Sequence, residues 1–278
     1  MRTKCFALCQ LVGAATLVLA LTLTGCGHTD AGDTDQEAAK QEATEEAAGA
    51  EVEESTLGES AFEELNTEIP ERATKITAAT RAVAADPQSA EAVDVESLPQ
   101  SENDPLAVER EDEIANSDGD TSKAPTGLAW LSYGGIEMLV PTNWFVKHGV
   151  DGLDIMSADG MVSGYLGAIR KTAGYSYDVT AMASSIPQVL QRDYGATDIQ
   201  VLAFDSMYSE RGTLCDTYIQ LGCMIDGQAA IYYCEYVESK SYISFLSLAA
   251  TPDDWQKNWE NGLYHVINSV RFAANEEI

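Results

Sequence analysis

From Gly135 onward, apolar residues recur with two distinct periods. Residues 135–140 alternate and stop at Pro141, which predicts a strand, since successive strand side chains point to opposite faces. Pro141-Thr142-Asn143-Trp144 predicts a turn with an anchoring aromatic. Residues 153–157 and 161–169 predict a hairpin around Ala158-Asp159-Gly160. Over 178–194 the period lengthens: Val179, Met182, Ile186, Val189, Leu190 and Tyr194 mark one helix face. Asp178 suits its N-cap and Gly195 its C-terminal stop, while Pro187 should kink or split it. Residues 199–204 predict another strand, followed by a polar loop over 205–212. The clearest local signal comes next. Apolar runs 214–225 and 228–237 flank Asp226-Gly227, a two-residue hairpin turn. Residues 242–250 form a further strand. Thr251 and Pro252-Asp253-Asp254 then open a helix striped by Trp255, Trp259, Leu263, Val266, Ile267 and Val270.

Strands with short turns, interrupted and closed by helices, predict an α+β fold: one antiparallel sheet covered by helices on both faces. The folded domain is expected over 126–274.

Before residue 126 the periodicity fades, and composition explains why. Residues 27–125 carry 27 acidic and 6 basic side chains, and Phe62 is their single aromatic. All four Trp and all twelve Tyr lie after Pro125. High charge with few large apolar groups does not bury enough surface to offset chain entropy. Residues 26–125 are therefore expected to be an acidic disordered tether. Within it, 36–54 favours transient helix. Residues 70–85 place Ile76, Thr80 and Val83 near one face, with Asp86-Pro87 as a stop.

The first 25 residues are organised differently again. Arg2 and Lys4 precede a mostly apolar run from Phe6 to Leu23, the pattern of an export signal. Leu23-Thr24-Gly25-Cys26 resembles the lipobox of bacterial lipoproteins. The resemblance implies a signal peptide over 1–25, cleavage before Cys26, and acyl chains on the Cys26 thiol. It places the chain on the extracytoplasmic face of a bacterial membrane, lipid-anchored. An uncleaved signal anchor is the alternative, weakened by Gln10 and Gly13.

The domain also carries a resemblance. Gly135-Ile-Glu-Met-Leu-Val-Pro141-Thr-Asn-Trp144, the Asp226-Gly227 hairpin and the last helix running into Ser269-Val-Arg-Phe272 resemble the PsbP-like sandwich over about 130–273. That α/β/α fold includes PsbP, DcrB-type lipoproteins and a Ran-binding import factor. It implies binding or assisting macromolecules rather than catalysis. No functional residue carries over, because none of these cues is a chemical motif.

The formal charge of −29 excludes nucleic acid as a partner, since phosphate binding needs clustered Lys and Arg. Candidate chemistry is sparse. Cys215, Cys223 and Cys234 remain after the signal and Cys26. The Asp226-Gly227 register sets Cys223 opposite Ala230, Cys234 opposite Ile219 and Cys215 opposite Glu238, which predicts buried free thiols. His148 and His265 would need a neighbouring thiol to form a nucleophilic pair. Gly160-Met-Val-Ser163-Gly164 lacks the spacing of a nucleophile elbow. Asp151, Asp154 and Asp159 lack calcium-loop spacing and suit turns. Tyr208, Tyr232, Tyr233 and Tyr236 are candidates for a binding face or for ordinary strand positions.

No catalytic, cofactor-binding or metal residue is assigned; Cys26 is the one candidate site. The expectation is a lipoprotein with a non-catalytic binding or assembly-accessory domain, no cofactor, and an envelope protein or small ligand as partner. The alternatives are an envelope hydrolase with a dispersed site and a structural surface protein.

Overall fold

The computed structural model describes residues 75–84, 91–101, 103–110, 124–149, 151–173, 177–209 and 212–278. The signal segment, Cys26 and the tether before Lys75 lie outside them.

Among the described residues, ten strands build two sheets. A three-stranded sheet has the order β1-β2-β10, from Leu128–Tyr133, Ile136–Pro141 and Arg271–Phe272. The larger sheet has seven strands in the order β3-β4-β5-β9-β8-β7-β6: Phe145–His148, Gly152–Met156, Ser163–Arg170, Tyr242–Ala250, Gln228–Glu238, Leu214–Ile225 and Thr197–Tyr208. Its strand pairs are all antiparallel. Asp226 and Gly227 both adopt positive φ, 55° and 77°, which gives the turn a twist matching its strands. The register is the expected one: Ile225 faces Gln228, Cys223 faces Ala230, and Ile219 faces Cys234.

One face of the large sheet is closed by helices. The helix α2 (Val179–Tyr194) runs beneath Ile219, Leu221 and Tyr232 and buries Met182, Ile186, Val189 and Leu190. The Asp178 carboxylate accepts from Ala181 N, and Gly195 closes the other end at φ 66°. Pro187 lies inside a helix that continues for 16 residues, so the expected split does not occur. Its neighbours on the buried side hold the helical path around it.

The other face is closed by the small sheet together with α3 (Pro252–Asn258) and α4 (Tyr264–Asn268). Both faces therefore carry helices, as expected, but the second shares its cover with a sheet not foreseen. Strands β1 and β3 were not anticipated, and β6 continues to Tyr208 through the expected loop. The expected single C-terminal helix is broken. Thr251 Oγ1 caps it as anticipated, accepting from Asp254 N at 3.3 Å. Gly262 then adopts φ 126°, and a Cβ there would meet Pro141 Cγ at 2.2 Å. The close approach of Pro141 requires a glycine, and its backbone angle ends the regular helix. The wide turn over 259–263 still leaves Trp255, Leu263, Val266, Ile267 and Val270 in the core.

The main departure lies upstream. Parts of the expected tether, 75–84, 91–101 and 103–110, pack on the domain. Helix α1 (Lys75–Ala79) and the 3-10 turn Thr80–Ala84 bury Ile76, Ala79, Thr80, Ala82 and Val83. This includes the face expected of 70–85. Averaged composition hid these short segments, whose small apolar residues fit close against the sheet. Ser247 Oγ donates to Thr80 O, and Arg81 Nη2 sits 2.7 Å from both oxygens of Asp154. Further on, Ser101 N donates to Val201 O at 2.9 Å and Val201 N to Pro99 O at 2.8 Å. Gln100 thus pairs in parallel with the outer edge of β6.

Candidate binding site

Strands β7 and β8 place polar side chains inward on the small-sheet face. Their register aligns Tyr218 with Glu235 and Gln220 with Tyr233, with Asp216 one inward position further along. Asp216, Gln220, Tyr233 and Glu235 are all fully buried. Charged groups at such positions are costly unless paired. The pairing comes from residues 103–110, which lie across them as a strap.

Gln220 binds the strap backbone at two points. Its Nε2 donates to Leu106 O at 2.7 Å, and its Oε1 accepts from Val108 N at 2.8 Å. Val108 itself enters the core, with 2% of its surface exposed. Two residues later the wholly buried Arg110 side chain reaches both acids. Its Nη1 lies 2.7 Å from Asp216 Oδ2 and also donates to Glu235 Oε1. Tyr233 donates its hydroxyl to Glu235 Oε2 at 2.9 Å, stacks on Tyr218 at 5.7 Å, and the guanidinium lies 6.0 Å from the Tyr218 ring. Burial, then the Glu235 charge, push Asp216 well above the usual carboxylate range. Burial opposes the Arg110 charge, but Glu235, Tyr233 and Asp216 outweigh it and hold the guanidinium above its ordinary value.

Beside the strap opens a groove of about 490 Å³. Pro105, Leu106 and Ala107 form one wall, and residues of α3 and the following turn form the other, among them Trp255, Lys257, Trp259 and Glu260. Tyr264 meets Trp259 edge-on at 5.7 Å. Apolar rings with charges at the rim suit binding of an amphipathic group.

Three solved structures are similar to this domain. The cyanobacterial PsbP (CyanoP) of Synechocystis matches with a TM-score of 0.44 and 10% identity, over 54% of this chain and 95% of its own. The Ran-binding protein Mog1p of Saccharomyces cerevisiae matches at 0.38 and 10%, over 52% and 95%. A Bacteroides thetaiotaomicron protein matches at 0.32 and 14%, over 53% and 49%. No family model matches the chain. No curated protein matches it either.

The residues singled out in the sequence are scattered. Tyr232, Tyr233 and Tyr236 are buried, Tyr233 toward the strap and the other two toward α2, so they form no common face. Tyr208 alone of the four is exposed, at 58%. Cys215, Cys223 and Cys234 are buried and unbridged, and burial raises Cys223 to about 11. His148 sits at the end of β3, and His265 lies on the exposed side of α4 against Tyr264. Asp159 is a turn residue. Burial opposes its charge, but bonds from Lys257, Ser157, Met161 N and Asn258 lower it to about 2. Asp154 pairs with Arg81. Among the described residues no three acidic, His or Cys side chains cluster as for a metal. Cys26 lies outside those residues.

The strap and its acid pocket went unforeseen. The signal was present: Asp216 and Glu235 interrupt apolar strands, and the hairpin register turns both to one face.

Proposed function

We propose that the chain is an extracytoplasmic lipoprotein, held to a bacterial membrane through lipid on Cys26, whose C-terminal domain is a non-catalytic binding or assembly-accessory module. The groove between the strap and the Trp259 turn carries the binding reading. It joins apolar rings to a charged rim, and its α3 wall is anchored in the core through Trp255. The anchor rests on Leu23-Thr24-Gly25-Cys26 and the apolar run before it. Two or three acyl chains hold a protein firmly, where a single chain binds only marginally.

Two experiments test the two halves. Metabolic labelling with an alkyne fatty acid should mark the chain, and Cys26→Ala should abolish the label and release the protein from membranes. Retained label in Cys26→Ala rejects the anchor. A photo-cross-linking residue at Gln256, exposed in the groove, should give a discrete adduct in cells; the same residue at Gln191 on α2 should not. Identical results at both positions reject the groove.

A further inference from the structure

The strap is held in the way a bound peptide is held. Gln220 grips its backbone at Leu106 O and Val108 N, a contact that ignores side chains. Specificity falls to the next two inward positions: Val108 in an apolar slot and Arg110 between two acids. Glu109, between them, faces solvent. This is the alternation by which an extended peptide is read on a sheet-built surface. The receiving side is complete without the strap, because Asp216, Tyr218, Gln220, Tyr233 and Glu235 all stand on two central strands. Over 103–110 the strap joins none of the described strands as a ladder; its backbone bonds go to the side chains of Gln220 and Tyr218 and to its own Asp104.

The cis fit is also incomplete. Among the described residues, Arg110 Nε and Nη2 and Asp216 Oδ1 are buried without a hydrogen-bond partner. A guanidinium presented as a fork to a carboxylate would use two of its donors together. Two donors of the strap's arginine and one acceptor of the pocket are thus left over.

We propose that the Asp216–Glu235 pocket is a binding site for an extended peptide of a partner protein that carries arginine two residues beyond a small apolar side chain, with residues 106–110 as its occupant in cis. The strap is then a tethered competitor that an incoming segment displaces. Charge complementarity at one position selects the partner: the buried pair of acids demands a cationic side chain there, whatever the net charge of the segment around it. The inference names the partner class for the binding module proposed above and rests on that reading.

The test uses the mature chain and a fluorescein-labelled peptide of residues 103–110. Two variants vacate the site from the strap side: Arg110→Ala, and Val108→Asp, which places a charge in the apolar slot and leaves both acids intact. Each is first shown to unfold cooperatively in urea. Both should bind the peptide saturably by fluorescence anisotropy. The parent chain should bind at least about 10-fold more weakly, as competition by a mostly seated strap requires. Alanine at the peptide's last position should weaken binding to Val108→Asp by about 30-fold or more. Adding Asp216→Asn and Glu235→Gln to that variant should do the same. Binding to neither folded variant, or binding indifferent to the arginine, overturns the proposal. So does loss of the cooperative transition in both variants, which would make the strap a constitutive piece of the core. Any of these leaves the Trp259 groove to stand or fall on its own cross-linking result.

Discussion

On one face of the seven-stranded sheet, a 16-residue helix covers Ile219, Leu221 and Tyr232, and its seam is mostly carbon against carbon. On the opposite face, a small sheet, a broken helix and an irregular strap share the work, and an arginine and two acids lie buried among them. The first face shows how far periodicity and area suffice, at roughly 25 cal/mol per Å² of apolar surface removed from water. The second shows where they stop. An apolar seam accepts any partner of suitable volume, whereas buried charges accept only their complement. The helical face holds the domain together, and the strap face holds the groups able to choose a partner.

Five measurements test that contrast. Removing Arg110 strands two buried acids, so Arg110→Ala should cost about 3–5 kcal/mol in urea unfolding. Replacing the set with apolar residues (Arg110→Met, Asp216→Leu, Glu235→Met) should restore most of that stability. A triple variant no better than Arg110→Ala would show that packing, not charge, holds the strap. Gly262→Ala forces a side chain into positive φ and against Pro141, and should cost about 1–3 kcal/mol. A neutral outcome would mean that the break in the helix is dispensable.

On the helical face the effects should be smaller. Asp178→Ala removes the cap on Ala181 N and should cost about 1 kcal/mol, with cooperativity unchanged. The pH response of Asp159, which bonds Lys257 and Asn258 of α3 on the opposite face, should be local as well. Asp159 is lowered from an ordinary 3.8 to about 2. A lowered carboxylate stabilises the fold above its unfolded value and loses that contribution as pH falls through the folded one. Unfolding followed from pH 5 to pH 2 should therefore show a loss that Asp159→Asn removes. An unchanged slope in the variant would assign the acid sensitivity elsewhere.

The two faces also differed in how far they could be read from sequence. Helix α2 announced its length, its buried side and both ends, because spacing, Asp178 and Gly195 are local signals. The Asp226-Gly227 hairpin announced its register for the same reason. Of the kink or split expected at Pro187, the split does not occur, since the helix runs through it. The strap face depends on contacts distant in sequence. Nothing near Gly262 reveals that Pro141 will lie against it. Val108 and Arg110 sit in an acidic stretch whose average composition argues for disorder, and only Gln220, Asp216 and Glu235, more than a hundred residues away, give them a place. Net charge was a poor guide to those two residues.

The strap's position along the chain has a mechanical consequence. Tension applied from the N-terminal side of Lys75 meets the 75–84 stretch, then the Gln100 bridge, then Arg110, before it meets any strand of either sheet. These attachments are in series and separately seated, so they would give way in succession, each letting out slack. Such a series would take up a pull from that side before it reached the strands.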